Sequence, residues 1–376
     1  NGGTFETDKD LTLSGPVTGR GALTKSGAGA LMLSGRSTYT GATFVKAGTL
    51  AAGRAGAFSP ASAFNVDAGA TLALNGYDQS VGALANAGRV SLQGTTPGAT
   101  LTVNGNYTGK DGGTLALSTR LEGDDSKTDR LVVKGATSGN TTLAVTNAGG
   151  GGAQTDKGIR LVEVDGASNG TFTLAGDYVF EGDQALVAGA YAYRLFKNGI
   201  DTNDGDWYLR SSLLEGDIPQ FQAGVPVYEA YAGILQSFNQ LDSLQSRLGN
   251  RAWTIEAQGA DGLSEEVAPE QGAGGQSLGV WGNIEASRHR YRPEHSTSDT
   301  DYDAAVWKLE AGIDSQLYET EKGRLIGGAS LHYGTIAADI FSPHGEGKID
   351  ATGYGIAGTL TWYGNDGLYL DGQAKL

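Results

Sequence analysis

Three spacings of hydrophobic residues follow one another along this chain of 376 residues, and each predicts a different element. Through the first half, apolar residues come in pairs of the form L-x-L bracketed by Gly, Asn or Asp: Leu11/Leu13, Leu31/Leu33, Leu72/Leu74, Val90/Leu92, Leu101/Val103, Leu115/Leu117, Leu131/Val133 and Leu143/Val145. On a strand such a pair points to one face, and a recurrence of roughly every 20 residues is the period of stacked solenoid turns. A β-sandwich with regular turns is the rival for this half. The expectation is a parallel β-helix, because stacking the turns buries the paired residues continuously.

Residues 225–250, VPVYEAYAGILQSFNQLDSLQSRLGN, break that pattern. Val227, Tyr231, Ile234, Leu235, Phe238, Leu241, Leu244 and Leu248 recur at three- and four-residue steps, the spacing of one side of a helix. Pro226 suits a first turn, and Gly249 with Asn250 suits a stop. Gln, Asn, Ser and Asp interrupt the apolar residues too often for a lipid-facing span, which needs about 20 predominantly apolar positions. Residues 251–277, rich in Gly, Glu and Ala, read as a linker.

The third spacing is strict alternation over segments of about ten residues, as in strands with one face to lipid and the other to a lumen. Trp307, Leu309, Ala311, Ile313 and Ser315 fall on one face, and Lys308, Glu310, Gly312 and Asp314 on the other. Tyr354, Ile356, Gly358, Leu360 and Trp362 oppose Gly355, Ala357, Thr359 and Thr361. Leu368, Leu370, Gly372, Ala374 and Leu376 oppose Tyr369, Asp371, Gln373 and Lys375, the last of five expected strands. Soluble sheets also alternate, so the connections carry the argument. Residues 289–303 and 338–347 read as long connections and 318–323 and 364–367 as short ones, the asymmetry of an outer-membrane barrel. Trp281, Trp307, Tyr318, Trp362 and Tyr363 fall near segment ends, where interfacial aromatics belong.

Composition narrows the function classes. With 61 Gly and no G-X-Y period, the chain is turn-rich β rather than collagen-like. A net charge of −15 without a cluster of Lys and Arg argues against nucleic acid. The absence of Cys suits a polypeptide that crosses a membrane unfolded. Met32 is the only Met and no charged-then-apolar leader opens the chain, so it reads as a piece of a longer protein. Gly166-Ala167-Ser168-Asn169-Gly170 fits G-x-S-x-G, yet a strand follows it instead of a helix, and His289, His295, His332 and His344 all lie in the other half. The acidic run at 201–206 lacks the calcium-binding repeat and reads as a solvated turn. No catalytic residue, cofactor or metal is expected.

Residues 21–53, GALTKSGAGALMLSGRSTYTGATFVKAGTLAAG, carry the most specific pattern. Leu23, Lys25, Gly27, Gly29, Leu31, Leu33, Ser34, Gly35, Thr38, Tyr39, Thr40, Gly41, Val45, Ala47, Gly48 and Leu50 closely resemble the passenger-associated transport repeat of bacterial autotransporters. Residues 68–88 resemble the segment that follows it in that family. Residues 99–212 resemble the autochaperone region, with Tyr191, Tyr193, Leu195, Trp207, Tyr208, Leu209 and Arg210 in its closing pattern. The open end of a solenoid exposes a sheet edge, and Trp207 and Tyr208 would supply burial for its cap.

Taken whole, the chain resembles the C-terminal part of a monomeric autotransporter. That resemblance implies an all-β chain in four parts: the end of a right-handed parallel β-helix passenger (1–98), an autochaperone cap (99–212), one linking pore-threading helix with its linker (213–277), and the first part of an antiparallel outer-membrane β-barrel (278–376). It implies that the helix lines the lumen with Tyr231, Ile234, Leu235, Phe238, Leu241, Leu244 and Leu248. Its implied role is translocation and surface display of its own passenger. The implied partners are outer-membrane lipid, the barrel-assembly machinery and periplasmic chaperones, with a host surface ligand for passenger sequence outside this piece. A complete barrel of the family has about a dozen strands, so five cannot close.

Two rivals remain on the sequence. A polysaccharide-acting β-helix enzyme would need a carboxylate or basic cluster on one solenoid face, and none is visible; an adhesin would bind through passenger sequence absent here. Some autotransporters cut their own chain between paired asparagines in a helical N-N-L-x-x-R-M-G, but here Asp242 and Ser243 stand at those positions before Leu244, Arg247 and Gly249. An ionised aspartate is a poor substitute for an asparagine amide in that attack. No self-cleavage is expected, and release would fall to an outside protease near 214–222. Mass spectrometry of the barrel fragment, from a full-length chain in a host lacking surface proteases, checks this: a fragment beginning at Ser243 refutes it.

Overall fold

A computed structural model describes residues 2–110, 112–180, 182–212, 218–236 and 278–376. Two compact units divide the chain, Asn1–Gln222 and Ala223–Leu376.

In the first unit the paired apolar residues do make stacked parallel strands. One face of the solenoid stacks Leu23–Ser26, Thr43–Val45, Ala63–Val66, Ala83–Asn86 and Tyr107–Gly109; a second stacks Ala30–Leu33, Thr49–Ala52, Thr71–Ala73, Arg89–Ser91 and Thr114–Thr119. The third begins with Gln79–Val81 and continues through Thr100–Val103, Arg130–Val133 and Ile159–Val164. Register is direct, Leu31 beside Leu50 and Leu50 beside Leu72, so like residues pile into columns. Leu31, Leu33, Leu72, Leu74, Val90, Leu92, Leu101, Val103, Leu115, Leu117, Leu131, Val133, Leu143 and Val145 are buried in one core, while Leu11, on an outer strand, stays exposed.

The turns explain the transport-repeat pattern. Gly48 has φ +63°, and a Cβ there would lie 2.5 Å from Gly27 O, so stacked turns leave room only for glycine. Lys25, wholly buried, donates from Nζ to Ser26 O (2.7 Å), Gly27 O (2.8 Å) and Ala47 O (3.0 Å), which ties two neighbouring turns together. Tyr39 shares a hydrogen bond with Thr43 Oγ1 (2.6 Å), which meets Ser62 Oγ at 2.8 Å. Ser168 Oγ donates to Gly205 O at 2.7 Å, and the G-x-S-x-G stretch is a solenoid turn leading into the strand Thr171–Leu174.

Beyond Ile159–Val164 the third face changes from parallel to antiparallel. Trp207–Arg210 pairs with it, Tyr191–Lys197 pairs with Trp207–Arg210, and Asp183–Ala188 and Tyr178–Phe180 complete the meander. The last rung of that face is thereby covered by hairpins, which end a stack that would otherwise continue as an open edge.

The second unit holds the helix Val225–Gln236 and an antiparallel sheet of five strands, not closed into a barrel: Leu278–Tyr291, Asp301–Thr320, Gly323–Ser342, Gly345–Gly364 and Tyr369–Lys375. Residues 237–250, with Phe238, Leu241, Leu244 and Leu248, lie outside the described residues, as do the linker 251–277 and the 242–249 stretch. The connection expected to be long at 338–347 is instead the tight turn at Pro343 and His344, because Ala338 pairs with Ile349 and the ladder runs on to Ser342 and Gly345. A strand of 20 residues at about 3.3 Å per residue, tilted 45°, rises roughly 47 Å, well beyond a hydrocarbon band about 25 Å tall. What alternation alone marks as a loop is a prolonged hairpin.

Candidate functional site

The cap is built from aromatic contacts and buried charges. Trp207 meets the ring of Phe172 edge-on at 5.4 Å, and Phe172 stacks on Tyr107 at 5.9 Å, a chain of rings from cap to solenoid core. Tyr193 is fully buried, and its hydroxyl accepts from Ala153 N–H (2.9 Å) and lies 2.8 Å from Ala153 O as donor. Leu209 is fully buried, while Tyr191, Leu195 and Tyr208 are partly covered. Burial pushes the Tyr208 phenol up to about 12, reinforced by its hydrogen bond to Asp204 Oδ2 and the charge of Asp206.

Two charged residues belong to this cap: Arg210, which stands in the closing pattern, and Asp206, which by pattern alone reads as part of a solvated turn. Arg210 donates to Lys157 O (2.9 Å) and Asn198 O (2.6 Å) and lies over Phe196 and Tyr208, so its guanidinium is satisfied where water is scarce. Asp206 is 5% exposed, accepting from Val164 N–H at 2.8 Å and pairing with Arg160 at 3.1 Å. The acidic run is therefore not a wholly solvated turn; its last member is a structural tie. Among the described residues no cluster of His, Asp and Glu is arranged to hold a metal.

The exit from this unit is clamped. Gln220 N–H donates to Ser211 O (2.7 Å), Ala192 N–H to Gln220 O (2.9 Å) and Gln222 N–H to Ala190 O (2.9 Å), while Phe221 packs on Tyr191 at 5.7 Å. Gln220 and Phe221 are buried, whereas Ile218 just before them is exposed.

In the second unit, polarity inverts along each long strand. On the second strand Trp307, Leu309, Ala311 and Ile313 face outward, and Glu310, Gly312 and Asp314 are buried on the inner face. The fourth strand repeats this, with Tyr354, Ile356, Gly358 and Leu360 outward. Inside, Ser330 Oγ donates to Glu310 Oε1 at 2.6 Å and Thr361 Oγ1 to Asp371 Oδ1 at 2.6 Å. Toward the Pro343 turn the two faces exchange character. There Ile336, Ala338, Ile340 and Ile349 are buried inside, whereas Asp339, Glu346, Lys348 and Asp350 face outward, Lys348 pairing with Asp339 at 3.0 Å. Charges on a lipid face are costly, so the apolar outer band stops at this inversion. Trp307 and Tyr333, 6.1 Å apart, stand at that level with Tyr354, and Tyr318 is exposed at the other limit. Trp281 is not interfacial: it is 6% exposed on the inner face, lying over Gly312, where a Cβ would come within 2.5 Å of the ring.

The helix occupies the apolar inner patch. Ala230 and Ile234 are buried against Ala304, Val306, Ile336, Ala338, Ile340 and Ile349, with Val227 beside them. Leu235 helps to line a cavity of about 260 Å³ with Lys308, Glu310 and His332, and Tyr231 is half exposed. Glu229 accepts from Thr297 N–H (2.7 Å), Ser298 N–H (3.0 Å), Ser296 Oγ (3.0 Å) and Ser298 Oγ. Burial opposes its charge, but these hydrogen bonds outweigh burial and hold the carboxyl below the usual range. The contact is thus strongest above that range and is lost as pH falls through the lowered pKa.

Three families match the chain in the order of these parts: a passenger-associated-transport-repeat at 23–52, an autochaperone domain of type 1 at 80–195, and an autotransporter beta-domain at 280–376. The chain belongs to the autotransporters. Trp207, Tyr208 and Leu209 of this autotransporter lie beyond the residues that the autochaperone family matches. Similar relatives include an adhesin autotransporter, BmaC, of Brucella suis, 45% identical over 100% of this chain and 11% of that protein. The autotransporter adhesin AIDA-I of Escherichia coli is 32% identical over 71% of this chain and 19% of that protein. A probable autotransporter of E. coli, YfaL, is 44% identical over 33% of this chain and 9% of that protein. The chain therefore spans a small part of these relatives, whose names are those of adhesins and autotransporters and not of enzymes. Membership places the long strands of this autotransporter in an outer-membrane barrel and the solenoid at the cell surface or secreted.

Proposed function

We propose that this chain carries its passenger across the outer membrane and displays it, with 1–98 as passenger end, 99–212 as autochaperone, 213–277 as pore-threading segment and 278–376 as translocator. The observation that carries this reading is the inversion of polarity on strands that hold a helix against their inner face. A soluble sheet has no reason to expose Trp307, Leu309, Ile313, Tyr354, Ile356 and Leu360 while burying Glu310 and Asp314. Insertion calls for outer-membrane lipid, assembly machinery and chaperones as partners. Catalysis has no part in it: each folded rung outside buries a pair of aliphatic residues, about 1.5–3 kcal/mol apiece before entropy, which biases the chain against sliding back. The cap, with Tyr191, Tyr193, Leu195, Trp207, Tyr208 and Leu209, gives that folding its starting edge.

The cysteine-free chain makes topology testable. In the full-length protein on intact cells, cysteines replacing Glu294 and Glu346 are expected to react with an impermeant maleimide, and one replacing Asp366 is not. Labelling of Asp366→Cys alone, or of all three alike, would overturn the assignment of sides.

A further inference from the structure

We infer that Glu229 is a positioning residue that fixes the resting register of the pore helix against the extracellular ends of the strands, and hence where the exported chain comes to rest. The inference rests on the translocation reading above. Its first support is uniqueness: Glu229 is the only charged side chain on Val225–Gln236, VPVYEAYAGILQ. A slip of one turn would bring Val225 or Gly233 to its place, and neither side chain can accept a hydrogen bond.

The second support lies on the barrel side, where the donors are committed. Ser298 and Thr300 are buried, and their hydroxyls, 2.7 Å apart, both reach Glu229 Oε2, Thr300 at 3.4 Å. Ser298 O accepts in turn from Ser342 Oγ at 2.5 Å, which links the loop to the hairpin tip. Losing the carboxylate strands buried donors on the loop, so the cost does not depend on the exposed rim of Glu229 alone.

The third support is steric. The chain entering the helix and its first turn face alternate strand residues: Ala223, two residues ahead of the helix, lies against Gly345 and Val227 against Gly347, where added Cβ atoms would come within 2.7 Å of Ala223 Cβ and 2.3 Å of Val227 Cγ2. The two glycines are one two-residue strand step apart, about 6.7 Å, so the notches hold the lead-in turn and the first turn of the helix in one register. All of this stands at the level where the outer face is charged, above the lipid band. The helix is keyed outside the bilayer, not along the polar lumen.

A Cβ on Gly347 would stand 3.7 Å from Val227 Cβ, within the range of a disulfide. The test is oxidation of full-length Val227→Cys/Gly347→Cys in the outer membrane, with Tyr231→Cys/Gly347→Cys reporting a one-turn slip. The first pair is expected to cross-link nearly completely. Adding Glu229→Ala, or Ser298→Ala with Thr300→Ala, should lower it roughly fivefold and raise the second pair, whereas Glu229→Gln, which keeps an acceptor, should restore much of it. Unchanged cross-linking in both the helix-side and loop-side variants overturns the proposal; if Glu229→Ala prevents barrel assembly, the loop-side variant decides. Protease accessibility of the passenger is scored in parallel. A parent chain that displays no passenger sinks the translocation reading, while display without a register shift sinks only the key.

Discussion

A chain carrying Leu209→Asp is expected to insert its barrel normally and to present a solenoid that surface protease digests. Leu209 is fully buried on Trp207–Arg210, the strand that joins the last rung to the hairpin meander, pairing with Ile159 on one side and Leu195 on the other. An unpaired carboxylate there costs on the order of 3–5 kcal/mol, a large share of the 5–15 kcal/mol that holds a typical domain. Trp207→Ala removes the ring that touches Phe172 and should cost about 3–5 kcal/mol in the same assay. Trp207→Phe should be far milder, because the buried indole N–H has no acceptor among the described residues and its removal lifts a desolvation cost. The readouts are proteinase digestion of intact cells and heat-modifiable mobility of the barrel, which belongs to the other compact unit. Resistance equal to the parent in Leu209→Asp would show that the cap does not stabilise the solenoid.

Period-two and stacked-pair patterns carried most of the fold because burial follows them directly. Leu31/Leu33 and Leu72/Leu74 are inside, and Trp307, Leu309 and Ile313 are outside, as alternation requires. Alternation says which residues share a face but not what that face touches. Beyond Trp307 the same alternation continues while the apolar side turns inward, so a hairpin reads as a loop. Trp281, opposite Gly312 on the inner face, reads as interfacial because a place near a segment end does not say which face a residue takes. Pairwise polar ties were illegible for a different reason. Asp206 and Glu229 look like surface charges in sequence, and partners from distant turns and loops, such as Val164 N–H and Arg160 for the one and Ser298 for the other, make their ordering favourable. Lys25 and Arg210 stand in recognisable patterns, but the carbonyls they bind, such as Ala47 O, do not. The glycine at 312 gives no sign in the chain that it makes room for an indole 31 residues away.

Arginine placed on the outward face should report the lipid boundary through its depth. Ile313 and Ala337 are both outward and exposed, on neighbouring strands of one sheet. Ile313 lies between the aromatic levels of Trp307 and Tyr318, whereas Ala337 neighbours Asp339 and pairs with Asp350, where charges already face outward. Ile313→Arg is therefore expected to destabilise a complete translocator folded into lipid vesicles by about 2–4 kcal/mol, and Ala337→Arg by about 0–1 kcal/mol. A soluble sheet would show the opposite indifference, since an exposed apolar residue replaced by Arg typically changes stability by less than about 0.5 kcal/mol at either site. Leu360→Arg on the fourth strand should follow Ile313→Arg, and Lys348→Ala should follow Ala337→Arg. Reversible denaturant titration of folded and unfolded forms measures all four. Equal costs at Ile313 and Ala337 would mean that the inversion of polarity does not mark the membrane surface, and with it the placement of the Glu229 contact above the bilayer would fall.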